Sequence, residues 1–141
     1  MRKSLHYLLA LVLSGVFFAS YMDLLSHVLY YNEQHQLFLY TADYYHSQTL
    51  TGWLTAFVVQ FFHYPLLGAA VMAALLTAVY LMTWRILTAL TRREDILRLS
   101  LIPSLALWVW TAGLSHTLSV VVWAFIVLVM LFVPACLLAK G

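Results

Sequence analysis

Residues 99–139 read LSLIPSLALWVWTAGLSHTLSVVVWAFIVLVMLFVPACLLA, and no charged residue occurs between Arg98 and Lys140. These 41 residues would extend about 60 Å as helix, at about 1.5 Å per residue. The hydrocarbon core of a bilayer is about 30 Å thick, so the stretch predicts two membrane crossings. Residues 113–117 are its least apolar section and begin with a glycine, which predicts the turn between the crossings.

The composition of the whole chain also indicates that lipid surrounds the protein. Of the 141 residues, 65% are hydrophobic and 9% are charged, whereas soluble domains are about half apolar and about a quarter charged. The net charge of +2, without a continuous basic stripe, argues against a nucleic-acid partner. Cys136 is the single cysteine, so no disulfide framework is possible within the chain. We therefore expect an all-α integral membrane protein whose main partner is the lipid bilayer.

Four transmembrane helices are predicted, at about residues 5–29, 65–90, 96–112 and 118–138. Pro65 suits the first turn of the second helix, where its missing N–H is no loss. The third helix is short and carries Pro103, which predicts a kink or an end near the interface. Residues 1–141 would thus form a single transmembrane helical domain.

The basic residues predict the orientation, because Lys and Arg accumulate on the cytoplasmic side of a membrane. In the four-span arrangement all seven lie on one side: Arg2, Lys3, Arg85, Arg92, Arg93, Arg98 and Lys140. Both termini are therefore expected in the cytoplasm. The apolar stretch after Lys3 is too long for a signal peptide, and we interpret it as a retained anchor.

The longest connection, residues 30–64, is expected on the outer side. It contains no Lys or Arg and holds six of the nine tyrosines, as an aromatic belt at headgroup depth would. Within it, Trp53, Phe57 and Phe61 recur at four-residue intervals, which is the period of one helix face. Residues 50–63 are too few to span, so they predict a helix lying in the outer interface.

Ionisable residues near this outer side are the candidate functional groups. Asp23 and His27 are four residues apart on one predicted helix face, where they either bond each other or a neighbouring helix, or line a substrate or ion cavity. Glu33 and Asp43 have no basic residue nearby in sequence, so each is either a solvated acid or a general base or metal ligand. The acids and histidines match no recognised metal-ligand spacing, and no haem pair or other cofactor site is identified.

Two short stretches resemble a known family: residues 33–40, EQHQLFLY, and residues 59–68, VQFFHYPLLG. They are similar to the N-terminal part of an uncharacterised family of bacterial polytopic membrane proteins, a domain-of-unknown-function family. The resemblance covers about residues 30–76. It implies a multi-pass protein of the bacterial inner (cytoplasmic) membrane.

The layout of the first outward loop also resembles the start of GT-C-type glycosyltransferases. That resemblance implies that Glu33 and Asp43 are catalytic, as base or metal ligand, with a lipid-linked sugar as donor. Such enzymes have many more spans, so the chain is either part of a longer protein or similar in architecture alone. The alternatives are a small non-enzymatic subunit packing against a larger membrane partner or its own copies, and a metal- or haem-binding membrane protein.

The four-span topology predicts where fused reporters lie. Reporters placed after Leu90 and at Gly141 should both report the cytoplasm, and one near Ser47 should report the outside. Opposite locations for the first two reporters would contradict the four-span arrangement.

Overall fold

The computed structural model describes residues 2–33, 49–91, 97–113 and 118–138, and within them the chain is all-α. The α-helices are α1 (Arg2–Asp23), α2 (Ser26–Glu33), α3 (Leu50–Val59), α4 (Pro65–Thr91), α5 (Leu97–Thr111) and α6 (Ser119–Leu138). A 3₁₀ helix at Gln60–His63 joins α3 to α4. The predicted all-α fold class is confirmed for these residues.

Three helical segments are long and apolar enough to cross a membrane: Ser4–Asp23, Pro65–Thr91 and Ser119–Leu137. They correspond to the first, second and fourth predicted spans. The third predicted span is the helix α5, whose 15 residues extend only about 22 Å. Pro103 lies inside α5 and does not end it.

Helix α4 is the centre of the bundle, because it packs against α1, α5, α6 and the 3₁₀ helix. Small side chains at Gly68, Ala69 and Ala73 are buried on it and let neighbouring helices approach closely. Larger buried side chains from the other elements complete the core, among them Phe17, Tyr21, Leu29, Phe62, Leu118 and Val121. The opposite faces of α1 and α6 are apolar and exposed, as lipid contact requires.

The first apolar stretch does not form one continuous helix over residues 5–29. The Ser20 carbonyl accepts hydrogen bonds from the amides of both Leu24 (2.9 Å) and Leu25 (2.8 Å), which ends α1. The chain restarts as α2 at Ser26. The break lets α2 pack on the 3₁₀ helix and on the start of α4.

The predicted amphipathic stretch 50–63 is helical, as α3 followed by the 3₁₀ helix. Thr49 caps α3, since its Oγ1 accepts from the Gly52 amide at 3.2 Å. The ring centroid of Phe57 lies 5.8 Å from that of Trp53 and 5.5 Å from that of Phe61. This aromatic row remains partly exposed, whereas Ala56 on another face is buried.

Gly68 predicts a stability difference between two glycine substitutions. A Cβ at Gly68 would come within 3.0 Å of the Phe62 Cα and 3.5 Å of Leu29, whereas a Cβ at Gly15 meets nothing within 4 Å. Gly68→Ala should therefore lower the free energy of unfolding by about 1–3 kcal/mol through overpacking. Gly15→Ala is the control and should be neutral or stabilising, because alanine favours helix. Thermal melting in detergent checks both, and an equal response would contradict the close packing at Gly68.

Candidate functional site

An acid–histidine pair lies at one end of the bundle. Glu33 ends α2 and His63 ends the 3₁₀ helix, two elements that pack together. The Glu33 Oε1 and His63 Nδ1 atoms are 2.9 Å apart, with side-chain exposures of 27% for Glu33 and 56% for His63. The Tyr64 ring meets the imidazole edge-on, with centroids 4.9 Å apart. The pair is thus held by the protein and still reachable from outside.

The geometry of this pair is that of a carboxylate that orients an imidazole. An ionised carboxylate only accepts hydrogen bonds, so the His63 Nδ1–H donates to Glu33. In the neutral imidazole, Nε2 then carries the lone pair that can take a proton. A carboxylate that orients a histidine in this way is the usual arrangement of a general base.

The partner of Glu33 was not evident from the sequence. Glu33 has no Lys or Arg nearby in the chain, and its partner is a histidine 30 residues further on. Only the packing of α2 on the 3₁₀ helix brings the two together. Asp43, the other candidate catalytic acid, lies outside the described residues.

Asp23 and His27 do not form a bonded pair. Asp23 is exposed at the end of α1, and its backbone carbonyl accepts from the Ser26 hydroxyl at 3.5 Å. His27 is half-buried on α2. Because the helix is interrupted at Leu24 and Leu25, the two side chains do not share one helical face. Their role in lining a cavity stays a prediction.

A buried polar cluster at the opposite end joins α1, α4 and α5. His6 is 4% exposed, and its Nδ1 lies 2.8 Å from the Tyr80 hydroxyl. The Ser100 side chain also hydrogen-bonds to Tyr80. The imidazole stacks on Trp84, with ring centroids 4.2 Å apart and planes 16° apart. We call these four residues the inner cluster; no sequence spacing links them, which is why sequence reasoning missed His6.

A second buried cluster joins α1 to the end of α5. The Thr111 hydroxyl donates to the Trp108 carbonyl at 2.8 Å, so the Tyr21 hydroxyl donates to Thr111 at 2.6 Å. The Trp108 indole N–H donates to the Ser20 hydroxyl at 3.0 Å. Phe17 packs against the same indole, with centroids 5.9 Å apart. Together with the inner cluster, in which Tyr80 of α4 links His6 to Ser100, these bonds connect α1 to α5 at two levels along the bundle.

The described residues form no cluster of metal ligands. Within residues 2–33, 49–91, 97–113 and 118–138, no three His, Cys, Asp or Glu side chains come together to hold an ion. Cys136 is a free, partly buried thiol.

The chain matches one family model, described as a family of unknown function (DUF6057), over residues 1–140. The match extends well beyond residues 30–76, where the two short stretches resemble an uncharacterised family. No curated protein matches the chain. No solved structure matches it.

The inner cluster predicts that the Tyr80 hydroxyl stabilises the bundle. Tyr80→Phe keeps the ring but removes a hydrogen-bond partner of both His6 and Ser100. Losing these two buried hydrogen bonds should cost about 1–3 kcal/mol, seen as a lower melting temperature in detergent. Tyr30→Phe is the matched control, because the Tyr30 side chain is 70% exposed. Equal melting of the two variants would show that the cluster adds no stability.

Proposed function

The chain belongs to the DUF6057 family, and from that premise we propose that it is a membrane domain serving a GT-C-like glycosyl transfer. Glu33 and His63 act as its acid–base pair, and the donor is a lipid-linked sugar. The single observation that carries the proposal is the 2.9 Å contact between these two partly exposed side chains. The GT-C resemblance of the outward loop supplies the reaction class.

The proposed topology has four crossings in a bacterial inner membrane, with both termini in the cytoplasm. Support for α5 as a membrane crossing, the third of the four, comes from two connections between α5 and α1. Through Tyr80 it reaches His6, and through Thr111 it reaches Tyr21. These two levels of α1 lie about 22 Å apart at about 1.5 Å per residue, which is most of the hydrocarbon core. If the chain crosses four times, all seven Lys and Arg fall on one side, which supports the orientation.

In this topology α3 lies in the outer interface. Its row of partly exposed aromatic rings, Trp53 and Phe57, continued by Phe61, supports this position, because aromatic side chains favour the headgroup boundary. The packing of α3 against α6 leaves that row directed away from the core. Lipid-linked substrates would then reach Glu33 and His63 from the outer leaflet.

In the proposed chemistry, Glu33 holds the His63 Nδ1–H and thereby orients the ring. The Nε2 atom accepts the proton of the acceptor hydroxyl as that oxygen attacks the anomeric carbon, and the lipid phosphate leaves with the bonding electrons. General base catalysis of this kind contributes about 10²–10⁴-fold in rate. Asp43 remains the second candidate acid of the same segment.

One observation favours a second candidate function, a non-enzymatic subunit bound to another membrane protein or to its own copies. One open face of α5 is apolar and is formed by Ile102, Leu105, Ala106, Val109 and Trp110. Apolar helix faces of this kind pack against other membrane helices as readily as against lipid.

A transfer assay tests the enzymatic proposal. Membranes containing the protein are supplied with a radiolabelled polyprenyl-phosphate hexose, and transfer of label to endogenous glycan is measured. Glu33→Gln and His63→Gln should each lower transfer by about 10²-fold or more, because each removes one half of the pair. Tyr31→Phe is the control, since Tyr31 is an exposed neighbour on α2, and should leave transfer unchanged.

Two outcomes would contradict the proposal. Full transfer by both pair variants would remove Glu33 and His63 from the reaction. Absence of transfer with the unaltered protein, at normal expression and insertion, would favour the non-enzymatic subunit.

A further inference from the structure

Arg85 on α4 forms an exposed cationic site outside the acid–histidine pair. Its guanidinium carbon lies 5.0 Å from the centroid of the Trp84 ring, a cation–π contact. Its Nη2 donates a hydrogen bond to the Tyr7 hydroxyl of α1. Trp84 is itself fixed, because His6 stacks on it and Tyr7 meets it edge-on at 5.7 Å. The guanidinium is thus held on a rigid aromatic support made by two helices.

The depth of Arg85 favours an anionic partner at the level of the lipid headgroups. It lies six residues before the end of α4 at Thr91, or about 9 Å along the helix. The 27 residues of α4 extend about 40 Å, which exceeds the hydrocarbon core by about 10 Å. Arg85 therefore falls near the boundary of hydrocarbon and headgroups. Among the described residues its partners are a neutral hydroxyl and a ring, and neither compensates the charge.

We propose that Arg85 and Tyr7 bind the phosphate group of an anionic phospholipid, in the leaflet at the N-terminal end of α1. The planar guanidinium can offer two parallel N–H groups to phosphate oxygens. Tyr7 accepts from Arg85, so its own O–H is the donor for a third contact. The aromatic support holds both donors in place before the lipid arrives, which lowers the entropy lost on binding.

The source of the phosphate follows from the position of the site. Phospholipid phosphates lie at the boundary that the Arg85 side chain reaches by extending along the helix. A free phosphate ion would have to leave bulk water to reach the same depth. An anionic headgroup is preferred over phosphatidylcholine because it lacks a compensating cation. The proposal does not depend on the chemistry at Glu33 and His63.

Native mass spectrometry tests the site. The detergent-purified protein is incubated with equal amounts of phosphatidylglycerol and phosphatidylcholine, and the retained lipids are counted. Retention of phosphatidylglycerol should fall about fivefold or more in Arg85→Gln, the effect of one basic residue at an anionic surface. Retention of phosphatidylglycerol should fall less in Tyr7→Phe, because that substitution removes one donor and keeps the ring. Tyr30→Phe is the control and should retain as much phosphatidylglycerol as the unaltered protein, because the Tyr30 ring is exposed at the other end of the bundle.

The remaining outcomes separate the alternatives. Equal retention of phosphatidylglycerol by Arg85→Gln and the unaltered protein would overturn the site, as would equal retention of the two lipids by the unaltered protein. Inorganic phosphate is added to lipid-free protein in a separate arm. Thermal stabilisation there that depends on Arg85 would assign the site to a free anion and overturn the lipid proposal. Melting of Arg85→Gln in phosphatidylcholine alone confirms that the variant is folded.

Discussion

The bundle depends on how it satisfies polar groups that cannot reach water. Hydrocarbon offers no hydrogen-bond partner, so a hydroxyl or ring nitrogen on a membrane helix is costly unless it is bonded within the protein. Single helices do part of this themselves: Thr83 and Thr88 donate to carbonyls four residues earlier at 2.8 Å. The Thr77 hydroxyl oxygen is buried without a partner among the described residues. Other polar groups form hydrogen bonds between helices, and those bonds determine how the helices are arranged.

The cross-helix bonds explain why a helix as short as α5 has a defined place. Its apolar faces would pack against lipid as well as against protein, so burial alone gives little preference between them. Polar contacts are directional, and Ser100 and Thr111 have their partners only at one depth and rotation of α5. Because α4 also packs against both α1 and α5, the three helices form one unit.

The two ends of this unit carry different chemistry. At one end an acid and a histidine meet at a partly exposed site, where proton transfer is possible. At the other end Arg85 stands on Trp84, which in turn is stacked on His6. Loss of the inner cluster would therefore disturb the support of Arg85 and leave the Glu33–His63 contact in place, since that contact is made by α2 and the 3₁₀ helix. The Glu33–His63 site can thus be altered by mutation separately from the inner cluster and the Arg85 site.

The sequence alone determined the helical class, the membrane environment and the helix over residues 50–63. The membrane environment follows from the long uncharged run 99–139. The helix over residues 50–63 follows from the local periodicity of its aromatic residues. The end of α1 at Asp23 was not predicted, because Leu24 and Leu25 continue the apolar stretch beyond it. The pairing of Glu33 with His63, and of His6 with Tyr80, was decided by the tertiary structure only. Such contacts join residues 30 and 74 positions apart, and they depend on the relative depth and rotation of helices. Close packing at Gly68 and directional polar bonds set those two quantities, and hydropathy carries no information about either.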